Sequence, residues 1–126
     1  RALLEVARDT METEVFLSGQ MDLLFYPELE HTGARQVMDF LERKADVVRL
    51  LGQKPGRVTI LIGRECGRPE LADCSVVIGR YSVDGQDAGA LAVVGPVRMD
   101  YPKLTALTQY LAQRVGSMLT VLMKEE

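Results

Sequence analysis

The chain has 126 residues, 47% of them apolar and 26% charged, and a formal net charge of −3 at pH 7. That length fits one domain and excludes a barrel of eight βα units, which needs about 250 residues. The composition excludes a disordered or fibrous chain, and no run approaches the ~20 apolar residues of a membrane span. Fifteen basic against eighteen acidic residues argue against a surface that itself grips phosphate backbones, where a basic face is the usual footprint.

In chain order, residues 1–13 carry Leu4, Ala7 and Met11 at spacings of three and four, which predicts an opening helix. Glu14 to Gly19 reads as a short strand stopped by glycine. Residues 20–33 are irregular but too apolar, through Leu23, Leu24 and Phe25, to be a free linker. A longer helix is expected from Ala34 to Leu51, with Val37, Leu41, Ala45 and Val48 inward and Gly52 at its C-terminal end. Three strands follow, at 57–63, 74–83 and 88–94. Asp84-Gly85-Gln86-Asp87 between the last two is a hairpin signal and argues for antiparallel pairing. A closing helix starts near Pro102, with Leu104, Leu107, Leu111, Val115, Met118 and Leu122 as its inward stripe. No βαβ alternation dominates, so the fold class is α+β: an antiparallel sheet with packed helices, in one domain over residues 1–126.

Sites for acid–base or nucleophilic chemistry are sparse. His31 is the single histidine and lies among Glu28, Glu30 and Thr32, where an exposed or capping role fits it. Cys66 and Cys74 are the two cysteines, read as reduced thiols of a cytoplasmic protein. With one histidine they fall short of the four Cys/His ligands of structural zinc. Neither a Walker loop, a dinucleotide glycine fingerprint nor a Gly-x-Ser-x-Gly elbow occurs. No catalytic residue, metal site or cofactor is therefore assigned.

Two glycine-containing stretches stand out. Ile62-Gly63-Arg64-Glu65-Cys66-Gly67 ends an apolar strand. It reads either as a turn with an ion pair or, through Gly63 and Glu65, as a polar anchor in a cleft or domain contact. Gly95-Pro96-Val97-Arg98-Met99-Asp100-Tyr101 joins the last strand to the closing helix. Arg98 offers five N–H donors, Asp100 a helix cap, and Tyr101 a ring with a polar tip. This stretch is either a bracket locking strand to helix or an interaction surface built on Gly95, Pro96, Arg98, Met99, Asp100 and Tyr101.

The second stretch closely resembles the GPTRMDY signature of the bacterial heat-inducible transcription repressors, the HrcA family, with Val97 in place of Thr. Gly19-Gln20-Met21-Asp22-Leu23-Leu24 is similar to the family's G-x-x-N-L-L, with Asp22 for Asn. Pro27-Glu28-Leu29 is similar to P-E-F, Ile62-Gly63-Arg64-Glu65 to I-G-x-E, and Ser75-Val76 with Tyr81 to its S-x-V…Y strand. The resemblance implies a cytoplasmic repressor with an N-terminal winged helix, a GAF-like body and a dimerising insert. This chain, which opens on Arg1, would be the part of the body after the insert. The resemblance also implies a homodimer, contact with an inverted-repeat operator upstream of chaperone genes through the winged helix and not through this chain, dependence on the GroE chaperonin, and no small-molecule ligand. Two other readings compete. One is a ligand-sensing GAF-type module with an apolar pocket and Glu65 and Arg98 as its polar groups. The other is a small enzyme using Cys66 or His31.

Overall fold

The structure is a computed structural model and describes residues 2–8, 13–18, 31–52 and 56–124. Its frame is a five-stranded antiparallel sheet in the order β2-β1-β5-β4-β3. The strands are β1 (Ala2–Arg8), β2 (Thr13–Ser18), β3 (Val58–Ile62), β4 (Cys74–Val83) and β5 (Gln86–Pro96). β4 and β5 make the predicted hairpin. Asp84 (φ 54°) and Gly85 (φ 80°) form its two-residue turn, both in the left-handed region that twists the pair correctly, and Val83 opposes Gln86 across it.

The opening helix is not present: residues 2–8 are strand β1, paired with β2 on one edge and with β5 on the other. Seven residues carrying Leu3, Leu4 and Val6 satisfy a helical and an extended pattern equally well, and pairing on both edges decides for the strand. The strand expected at Glu14 is β2. Residues 19–30, with the Gly19–Leu24 and Pro27–Leu29 landmarks, lie outside the described residues.

The long helix is instead two, α1 (His31–Leu41) and α2 (Lys44–Leu51). Glu42 N–H still bonds Met38 C=O, but Arg43 N–H bonds Phe40 C=O and Arg43 itself is extended, with φ −88° and ψ 97°. The break rotates the second half. Val47 and Leu50 are buried, whereas Ala45, expected inward, is exposed. Phe40, Val47 and Leu50 then pack with Leu61, Val76, Ile78, Ala92 and Val94 on one face of the sheet.

The opposite face carries α3 (Tyr101–Lys124). It lies along β4, with Leu104 against Val77 and Val93, and Ala112 with Tyr81 and Leu91. Its buried residues are Leu104, Thr108, Ala112 and Gly116, a row at spacing four made mostly of small side chains. Half of the anticipated stripe is therefore displaced: Leu107, Met118 and Leu122 are exposed, while Leu104 is buried and Leu111 and Val115 are half-buried. The cause is close approach. A Cβ on Gly79 of β4 would lie 2.7 Å from Thr108 Cγ2, and one on Gly116 would lie 2.5 Å from Ser82 O.

Arg80 of β4 joins the layers. Its guanidinium donates to Leu51 O at the end of α2 (2.7 Å), to Gly56 O (2.9 Å) and to Thr59 Oγ1 (2.9 Å). The class is α+β, an antiparallel sheet with helices packed on both faces.

A candidate interaction site at the ends of β3 and β5

The two stretches singled out in the sequence meet at Ser75. The register sets Ile62 of β3 opposite Ser75 of β4, and Ser75 opposite Gly95 of β5. Ser75 is fully buried, and its Oγ lies 2.6 Å from the Tyr101 hydroxyl. Tyr101 also bonds the Val97 carbonyl. A carbonyl only accepts, so the tyrosine proton goes to Val97 O and the Ser75 hydroxyl donates to Tyr101. One hydroxyl pair thus ties β4, the β5–α3 link and the first turn of α3 together.

Each neighbour in the link has a definable task. Gly95 leaves space that Met99 fills; a Cβ there would lie 2.7 Å from Met99 Sδ. Met99 in turn packs with Val77, Val93 and Leu104. Pro96 closes β5 opposite Cys74, at the last position of the strand. Asp100 caps α3: its Oδ1 accepts the Lys103 N–H at 3.2 Å, and its carbonyl accepts that of Leu104 at 2.9 Å. Arg98 is different. It is exposed, and it makes no hydrogen bond or ion pair among the described residues. Val97 beside it is 40% exposed and Ile62, at the end of β3, 36%.

Gly63 and Glu65 form the other half. Gly63 is buried at φ +59°, inside a 3-10 turn (Gly63–Cys66), and a Cβ on it would lie 3.1 Å from Ala72 O. Glu65 accepts the Ile62 N–H at 3.3 Å. It therefore fastens the turn to its own strand, in place of the Arg64–Glu65 ion pair read from the sequence. That backbone contact also occupies one of the two polar groups assigned to a ligand pocket.

The thiols lie elsewhere. Cys66 and Cys74 are both buried in the core under α1 and α2. Burial, with the Glu65 charge second, pushes the Cys66 thiol up to about 11. Burial, then Cys66 and Asp73, pushes Cys74 up to about 12. A nucleophilic cysteine needs the opposite shift. His31 opens α1. Among the described residues no cluster of three or more His, Cys, Asp or Glu side chains is arranged to hold a metal ion.

An ionic network at the α1–α2 break had no sequence signal. Glu70 accepts from Arg43 at 3.1 Å and from Arg68 at 3.0 Å, and Asp46 lies 3.5 Å from the Arg43 guanidinium and 3.7 Å from that of Arg68. Both arginines sit over the Phe40 ring, 5.7 and 5.4 Å from its centroid. The hydrogen bond from Arg68 is the first cause holding the Glu70 carboxyl below its ordinary range.

The family model of the HrcA protein C terminal domain matches residues 1–105. The chain belongs to the HrcA family. Three relatives named heat-inducible transcription repressor HrcA illustrate the distance within it. That of Desulforudis audaxviator is 35% identical over 121 residues, which is 93% of this chain and 35% of the relative. Those of Desulfitobacterium hafniense and Bacillus pumilus are 32% and 31% identical, over 86% and 90% of this chain and 32% and 34% of theirs. The chain thus spans about a third of the length of the HrcA relatives it matches. A solved structure described only as a hypothetical protein shares the fold, with a TM-score of 0.74 and 22% identity, over 90% of this chain and 34% of that one. Among the described residues, no helix is long and apolar enough to cross a membrane.

Proposed function

We propose that this domain is the non-catalytic, GAF-like body of a heat-inducible repressor and holds two DNA readers at the spacing of an inverted-repeat operator. The readers are winged helices outside these 126 residues, and the repressor acts in the cytoplasm as a homodimer on chaperone operons. The net charge of −3 agrees with DNA contact made elsewhere. Half-site spacing is a geometric requirement, so a stiff body is itself functional. GroE is the partner that keeps the fold competent, and heat releases the geometry by loosening the body.

One observation carries the reading. In the signature stretch, Gly95, Met99, Asp100 and Tyr101 are engaged inside the domain, while Arg98 points no bond inward. That division suits a bracket presenting one charged contact to a neighbouring part of the repressor. Arg98→Ala should leave the domain's unfolding midpoint unchanged and weaken operator binding by the intact polypeptide about tenfold, the loss of one charge-assisted hydrogen bond of ~1.5 kcal/mol. Calorimetry and operator titration check the pair. Unchanged operator affinity argues against an outward role for Arg98.

A further inference from the structure

Cys66 and Cys74 are reduced, fully buried and members of one core cluster. The β3–β4 register brings them together. The Cys66 thiol points back at Leu61 O, 3.7 Å away. Leu61 faces Val76 across the ladder, and Cys74 lies two positions before Val76, so its side chain stands on the same face of β4. Burial first, and Cys66 second, raise the Cys74 thiol, which marks the two sulfurs as neighbours.

The seven residues between them, Gly67 to Asp73, form a surface loop. Gly67, Pro69, Ala72 and Asp73 are exposed, and Leu71 alone of the seven is buried. The loop is otherwise fastened at the α1–α2 break, by Glu70 to Arg43 and by Arg68 to Asp46. With the loop closed, neither sulfur meets solvent. Burial also keeps both protonated near neutral pH, whereas the thiolate is the reactive species. Lifting this one loop uncovers both sulfurs while the sheet stays paired, since it carries no strand.

We propose that Cys66 and Cys74 form a redox latch: when the loop opens, a low-molecular-weight disulfide oxidises them to an intrachain disulfide that stabilises the reclosed body. One cysteine gives its proton to solvent, and its sulfur attacks the small disulfide and expels one small thiolate. The other cysteine, likewise deprotonated, attacks the mixed disulfide and expels the second. The pair loses two electrons and two protons, and the small disulfide takes them up and leaves as two thiols. The link restrains the unfolded chain and ties down the loop that holds Glu70 beside Arg43. On the repressor reading, on which this last step rests, the latch raises the temperature of operator release.

In the test, the polypeptide as its gene encodes it is incubated with oxidised glutathione well below its unfolding midpoint, quenched with iodoacetamide at intervals and mapped by peptide mass. The expected product is a link between Cys66 and Cys74, formed without a lasting glutathione adduct and reversed by dithiothreitol. Glu70→Gln, which unfastens the loop, should speed its formation roughly fivefold or more. Gln113→Ala, on α3 across the sheet, should leave the rate unchanged. Calorimetry of the linked chain should show a midpoint roughly 5–10 °C higher. The absence of a link, glutathione adducts that persist on either cysteine, a link that leaves the midpoint unchanged or lower, or indifference to Glu70→Gln overturns the latch. Operator titration against temperature separates it from the repressor reading: a raised midpoint with unmoved operator release keeps the latch and removes the release of DNA by loosening of the body.

Discussion

The proton on Tyr101 has one destination, Val97 O, and the buried Ser75 hydroxyl depends on the oxygen left behind. Tyr101→Phe therefore leaves two polar groups short of a partner at once. Unfolding in urea should show a loss of about 1–3 kcal/mol with an unchanged slope. Ser75→Ala should cost less, because Tyr101 keeps its bond to Val97. Equal costs would contradict this assignment of donors. The residues of the link were legible in the sequence as an unusual mixture, and Asp100 was legible as a cap. The hub was not. A serine opening an apolar strand has no local feature that says it faces a tyrosine 26 positions away.

Elements were legible where local chemistry alone decides them. Asp84-Gly85 fixes the hairpin because its turn needs two positive φ angles. β3 is legible from its β-branched run. Reading failed where tertiary contact decides. β1 is a strand through pairing on both edges, and the α1–α2 break carries neither glycine nor proline, being held by Arg43 through Phe40, Asp46 and Glu70. The extent of α3 is legible, but part of its buried face is a row of small residues, Thr108, Ala112 and Gly116, which the periodicity of large apolar side chains does not mark. Gly79→Ala tests that row. Its Cβ would meet not only Thr108 Cγ2 but also Thr108 O, at 2.9 Å, so the helix must move, at about 1–3 kcal/mol in chemical denaturation. Thr108→Ser in the same chain should restore only part of the loss; full restoration would show that the backbone contact is unimportant. The break offers a pH test. The Glu70 carboxyl is held low in the folded chain, so its contribution is present above the ordinary carboxylate range and is lost as pH falls through its folded value. Stability of Glu70→Gln should thus fall less steeply on acidification than that of the parent chain, and identical acid limbs in urea midpoints against pH would remove the network from the account.

At the scale of the whole molecule, a five-stranded sheet is clamped between α1–α2 and α3, and its signature stretch locks one end of the clamp. If the body acts by holding two readers apart, repression should end at the temperature where the body loosens. Operator retention by the polypeptide as encoded, followed against temperature beside calorimetry of the same sample, tests this most directly. For Tyr101→Phe, a loss of ~1–3 kcal/mol lowers the unfolding midpoint by roughly 4 °C per kcal/mol. The account predicts that operator release moves down by the same interval. Release at the parent temperature, with the body already unfolded, would contradict it.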